Sequence, residues 1–181
     1  DYFTKNFSPY QHKQVRIIEF PAYYGGFAQS FANTIPFSES AGFIASVDES
    51  EEGGIDYPFS VTAHELAHQW WAHQVIGANV QGATLMSESL SEYSSLKVLE
   101  KEYGPTKMRV FLKDALDKYL LGRTREQKKE KPLMYNENQQ YIHYQKGSMV
   151  LYAMSDYLGE DKFNGILSSY IDSVAFQEAP Y

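Results

Sequence analysis

Cysteine is absent from the 181 residues, which rules out a disulfide framework, a thiolate metal site and a cysteine nucleophile. Any metal must then be held by His, Asp or Glu. The same absence says nothing of compartment, because a chain without thiols suits reducing and oxidising surroundings alike. Positive charge is also scarce: sixteen Lys and Arg stand against twenty-three Asp and Glu, a formal charge of −7. Nucleic acid is excluded as a partner, since its backbone needs clustered cations. Long apolar runs are missing too. None approaches the roughly 20 residues that span a bilayer, and residues 1–9 lack the charged-then-apolar pattern of a signal peptide. A chain with no membrane segment of its own is therefore expected.

What is present is ordinary globular material, 43% apolar and 22% charged, with fifteen tyrosines raising the aromatic share to 15%. The length fits one domain with a substantial core. Residues 1–7 read as a helix end, and residues 15–20 form a β-branched run closed by Pro21. Tyr23 to Gly26 is turn-like, and residues 41–47 form a short apolar stretch before an acidic loop at residues 48–54. From Phe59 onward the apolar residues recur at helical spacing. The spacing predicts helices at about 59–75, 85–102, 106–121, 140–158 and 160–172, with Gly104-Pro105 dividing two of them and Gly159 ending another. The charged stretch 123–131 reads as a solvated surface loop. The division is thus a β-containing lobe over about 1–55 and a helical lobe over about 56–181, an α+β fold.

Chemistry concentrates at His64, Glu65, Leu66, Ala67 and His68. The two histidines stand one helical turn apart on one face, where both can reach a single ion. Glu65, adjacent but turned from the metal axis, suits a base acting on water. With five His and fifteen Glu in the chain, chance supplies about 0.01 occurrences of this spacing. A catalytic zinc needs a third protein ligand. The metzincin pattern would require Gly at position 71 and His at 74, where Trp71 and Gln74 stand, so that class is excluded. The remaining answer is a Glu on a following helix, and the segment from Leu85 offers both Glu88 and Glu92, one turn apart.

Here the chain resembles the gluzincin aminopeptidases, the group of aminopeptidase N and puromycin-sensitive aminopeptidase. Residues 64–70 match its His-Glu-Leu-Ala-His-Gln-Trp, and residues 87–93 match the outline of Asn-Glu-Gly-Phe-Ala-x-Tyr, with Glu88 at the ligand position. Nineteen residues separate His68 from Glu88 where the family has one fewer, and the strict spacing falls on Ser87, a poor zinc ligand. An insertion in the loop at residues 77–82 would restore the register. Downstream, Tyr144, Gln145, Lys146 and Gly147 are similar to the family's Tyr-x-Lys-Gly, which implies that Tyr144 donates to the oxyanion; Tyr141 is its nearest competitor. His73 and His143 read as structural or supporting groups.

The resemblance implies a thermolysin-like catalytic domain, a fragment of a longer protein, holding zinc on His64, His68 and Glu88 with Glu65 and Tyr144 catalytic and a peptide or small protein as substrate. The wording of residues 64–83 is further similar to bacterial aminopeptidase-like domains fused to membrane transporter subunits, which implies a membrane-associated parent. One signature departs from the pattern. The family's Gly-Ala-Met-Glu-Asn grips the substrate amine, and against residues 29–39 it places Ala32 where that Glu would stand, with Asn33 and Glu39 in the frame. Exopeptidase specificity is accordingly not implied. Two alternatives stay open from sequence: a catalytically silent, zinc-stabilised binding or sensor domain, and a hydrolase of a non-peptide substrate.

Overall fold

Asp56 starts the helix that carries the site. In the computed structural model, which describes residues 1–47, 54–137 and 139–177, its Oδ1 accepts from the Phe59 N–H at 2.9 Å and Pro58 lies in the first turn of α2 (Tyr57–Ala67). Such a cap satisfies an otherwise orphaned donor, and proline loses nothing where no helical N–H bond is due. The second carboxylate oxygen of Asp56 accepts from Tyr103 Oη at 2.7 Å, which ties α2 to α3 (Leu90–Arg125). The helical run of α3 is broken at Gly104, whose φ of 79° lies in the left-handed region. Glycine adopts this freely and Pro105 restarts the helix. The break predicted at Gly104-Pro105 is where it was expected. So is the one at Gly159, which separates α4 (Gly147–Leu158) from α5 (Glu160–Val174).

The expected helix at 59–75 is shorter than its apolar spacing suggests. Its regular part ends at Ala67 and the chain continues in turns through residue 74. These turns put Trp70 and Trp71 into the main core with Phe3 and Phe7 of the amino-terminal segment, Tyr93 of α3, and Phe163 and Ile171 of α5. Trp71 is fully buried, and its indole N–H donates to Ser94 Oγ at 2.9 Å. Gln74 is equally enclosed, accepting from Ser8 Oγ at 2.6 Å and donating to Gln11 Oε1 at 2.8 Å. Burial of these aromatic rings gives the end of α2 a rigid floor. A second cluster, Leu96, Leu99, Met108 and Phe111, packs across the break in α3.

The sheet is small. β1 (Arg16–Phe20) pairs in parallel with β2 (Thr34–Ser38), and on the far side of β2 Ala28 makes an antiparallel bridge to Phe37. The run at residues 15–20 is therefore a strand as expected. β2 was not expected, because Pro36 sits at its centre and proline is ordinarily confined to positions that need no ladder donor. The apolar stretch at 41–47 is not a strand: residues Glu39–Phe43 form a π turn. Residues 48–53 of the acidic loop lie outside the described residues. The architecture is mixed helix and strand with helix dominant, the α+β class. Among the described residues no helix is long and apolar enough to cross a membrane.

One ion cluster holds α3, α5 and the amino terminus together. Lys97, with its side chain only 6% exposed, lies 2.9 Å from Glu160 Oε2 and also bonds Glu100, while Tyr2 Oη donates to Glu160 Oε1 at 2.9 Å. Burial opposes ionisation of Glu160, but bonds from Lys97, Tyr2 and Lys101 outweigh it and hold the carboxyl below its ordinary 4.5. A depressed carboxyl stabilises the fold above its unfolded pKa, and the contribution is lost as pH falls through the folded value. Acidification below about pH 4.5 should therefore lower the melting temperature. Glu160→Gln should reduce stability at neutral pH by about 2 kcal/mol and flatten that acid limb, which thermal melts of the two proteins across pH would read directly.

Candidate metal centre

His64 and His68 stand one turn apart at the buried end of α2, both under 9% exposed, with ring centroids 4.7 Å apart. Their Nε2 atoms converge on one oxygen: Glu88 Oε2 lies 3.3 Å from His64 Nε2 and 3.4 Å from His68 Nε2. Among the described residues these three are the group whose ligand atoms all fall within 4.8 Å of one another. Two imidazole nitrogens and one carboxylate are the donor set of a zinc site that keeps a position open. The other ring nitrogens are also fixed. Glu92 Oε2 lies 2.7 Å from His64 Nδ1, and His68 Nδ1 lies 3.1 Å from the Trp71 carbonyl and 2.9 Å from Ser91 Oγ. Holding each Nδ1 turns the Nε2 lone pairs inward, the arrangement that orients imidazoles toward a metal. The donors present fit zinc.

Of the two carboxylates open from sequence, Glu88 faces both Nε2 atoms and Glu92 stands behind His64. Residues Leu85–Ser89 form a π turn, a geometry that commonly occurs at functional sites, and Glu88 projects from it onto both Nε2 atoms while Ser87 does not. Gly82 starts the approach with φ of 89°, and a Cβ there would meet the Met134 carbonyl oxygen at 1.9 Å.

Another π turn, Tyr141–Lys146, carries Tyr144. It locks against the one at Leu85–Ser89. Ser89 Oγ donates to the His143 carbonyl at 2.6 Å, and a Cβ on Gly147 would lie 2.2 Å from Ser89 Oγ. Close approach of Glu88 and Tyr144 thus depends on a glycine and a buried hydroxyl between them. Asn136 Nδ2 bridges Thr84 Oγ1 and His143 Nδ1 at 3.2 and 3.1 Å, so His143 supports the Tyr144 segment. His73 Nε2 lies 3.3 Å from the Ser30 carbonyl and steadies the opposite wall.

Tyr144 packs against His64, ring centroids 5.6 Å apart, whereas Tyr141 stacks on Tyr119. Burial pushes the Tyr144 phenol well above the ordinary tyrosine range and the Glu88 charge adds to it, so the hydroxyl keeps its proton. Glu65 is 7% exposed, and no hydrogen bond among the described residues engages its carboxylate. Burial raises its pKa, against the pull of His64 and His68. Glu88 goes the other way: burial opposes its charge, but the bonds to His64 and His68 hold it well below the usual carboxylate range. The two neighbouring glutamates are thus pushed in opposite directions.

Two cavities meet at this centre, one of about 320 Å³ and one of about 470 Å³, and both are lined by Phe27, Ala28, His64, Glu65 and Tyr144. Ala32, which the sequence places at the amine-binding position, is exposed and lines neither cavity. Ala28, which bridges to Phe37 beside β2, lines both cavities instead. Glu39 points elsewhere, its carboxylate accepting from the Ala22 N–H at 3.2 Å.

Comparison with known proteins gives one consistent result. The model of the peptidase family M1 domain matches residues 1–181. Probable aminopeptidase 1 of Sulfurisphaera tokodaii is 30% identical over 192 residues, covering 99% of the chain and 23% of the relative. Aminopeptidase N of Canis lupus familiaris is 26% identical over 196 residues, covering 100% of the chain and 19% of the relative. The chain thus spans about a fifth of the length of the curated relatives it matches. Among solved structures, a variant of the M1 zinc metallopeptidase from Deinococcus radiodurans bound to a Tyr-Ser-Ala substrate superposes with a TM-score of 0.68. It is 20% identical, with 98% of this chain and 36% of that one covered.

Proposed function

The chain belongs to peptidase family M1, and from that premise we propose that it hydrolyses peptide bonds as a zinc peptidase. The observation that carries this reading is the convergence of His64 Nε2, His68 Nε2 and Glu88 Oε2 beside an unengaged, buried Glu65. His64, His68 and Glu88 would hold the zinc, which when bound polarises a carbonyl and lowers the pKa of water to about 7. Glu65 accepts the proton of the attacking water and delivers it to the leaving nitrogen. Its raised pKa makes it a stronger acceptor for the proton of the attacking water than an ordinary carboxylate. Glu92 holds His64 in one tautomer throughout.

Tyr144 supplies the fixed donor that a developing oxyanion needs. A phenol kept protonated by burial can donate and does not titrate in the working range. Tyr144→Phe is expected to lower kcat by about 10²-fold with little change in KM, since the hydroxyl acts where charge develops and not in the ground state. Steady-state kinetics on a fluorogenic peptide would read this. An equal fall in kcat for Tyr141→Phe, with Tyr144→Phe unaffected, would reassign the donor.

A further inference from the structure

Glu88 and Tyr144 must act on one substrate from different turns of the chain, and a loop that lines neither cavity ties those turns together. Residues 134–136 lie along residues 81–84. Gln81 Nε2 donates to the Tyr135 carbonyl at 2.8 Å, the Gly82 N–H donates to the Asn136 carbonyl at 3.2 Å, and the Met134 carbonyl presses on Gly82. Met134 and Tyr135 are more than half exposed, but Asn136 is only 3% exposed. A polar side chain that deep costs free energy unless its atoms are bonded.

They are. Asn136 Oδ1 accepts from the Gln139 N–H at 3.2 Å. A backbone N–H can only donate, which fixes the amide's orientation and turns its nitrogen toward Thr84 Oγ1 and His143 Nδ1, with one hydrogen for each. Burial holds His143 below its ordinary pKa, so the ring is neutral and Nδ1 is free to accept. Thr84 leads directly into the turn that carries Glu88. On the other side the His143 ring lies 4.6 Å from that of Tyr144, which in turn packs on His64. One buried amide thus spans the start of the Glu88 turn and the ring against which Tyr144 rests.

We infer that Asn136 is a positioning residue, whose amide, clamped between Thr84 and His143, sets where the Tyr144 hydroxyl stands relative to His64, His68 and Glu88. The inference rests on the peptidase reading above. A donor to a developing oxyanion is sensitive to small displacements. Asn136→Ala in the zinc-loaded protein is therefore expected to lower kcat about tenfold, with KM within about twofold and zinc content unchanged. In a Tyr144→Phe background the same change should cost less than about twofold, because the hydroxyl it positions is gone. Losses that multiply in the double variant would overturn the inference, as would an unchanged kcat. Gln81→Ala cuts an exposed tie of the same loop and leaves the Asn136 amide in place, so it should keep the wild-type kcat; a loss equal to that of Asn136→Ala would also overturn it. Asn136→Asp keeps the shape and the oxygen facing Gln139 but loses both donors, and should show the same dependence on Tyr144 if the alanine variant does not fold. A phosphinate peptide, whose tetrahedral group mimics the transition state, gives a readout without turnover: Asn136→Ala should weaken its binding about tenfold when Tyr144 is present and not in Tyr144→Phe. Failure of the peptidase reading looks different: the wild type cuts no peptide and binds the phosphinate no tighter than its amide counterpart, and the inference falls with it.

Discussion

Glu65→Gln is expected to retain stoichiometric zinc and to lose about 10³-fold in peptide hydrolysis, equivalent to about 4 kcal/mol of transition-state stabilisation. The expectation follows from position. Glu65 reaches both cavities yet has no hydrogen-bond partner among the described residues, and its carboxylate is not one of the three converging ligand atoms. Glutamine keeps the shape and removes the proton acceptor, so metal content and thermal stability should match the wild type while turnover collapses. Unchanged turnover would remove Glu65 from the reaction. Zinc lost together with activity would instead make it part of the metal site.

The second large effect separates the two acidic neighbours of His64. Glu88→Ala should leave the protein without bound zinc after dialysis, because it removes the oxygen on which both imidazoles converge. Glu92→Ala should retain a site weakened by about 10- to 100-fold, the range for losing a carboxylate that orients a ligand histidine. Zinc titration with a competing chelator measures both. The reverse order of affinities would exchange the two roles, with Glu92 as ligand and Glu88 behind it. The two glutamates are one turn apart, so their roles depend on local helix geometry, and the π turn at Leu85–Ser89 sets that geometry.

That dependence explains what sequence could and could not tell. The juxtaposition of His64 and His68 was legible because helical periodicity alone puts the two rings on one face. The breaks at Gly104 and Gly159 were legible because glycine and proline act through local backbone sterics. Glu88 was ambiguous because a π turn is a tertiary accommodation with no compositional mark. β2 was missed because Pro36 breaks the local rule, and its pairing to β1 is parallel and non-local.

The measurement closest to the central claim is anomalous diffraction at the zinc edge from crystals of the zinc-loaded protein. A single peak about 2.0–2.2 Å from His64 Nε2, His68 Nε2 and a Glu88 oxygen is predicted, with Glu65 outside bonding distance. A peak bound through Glu92, through either Nδ1, or with Glu65 as a ligand would contradict the account.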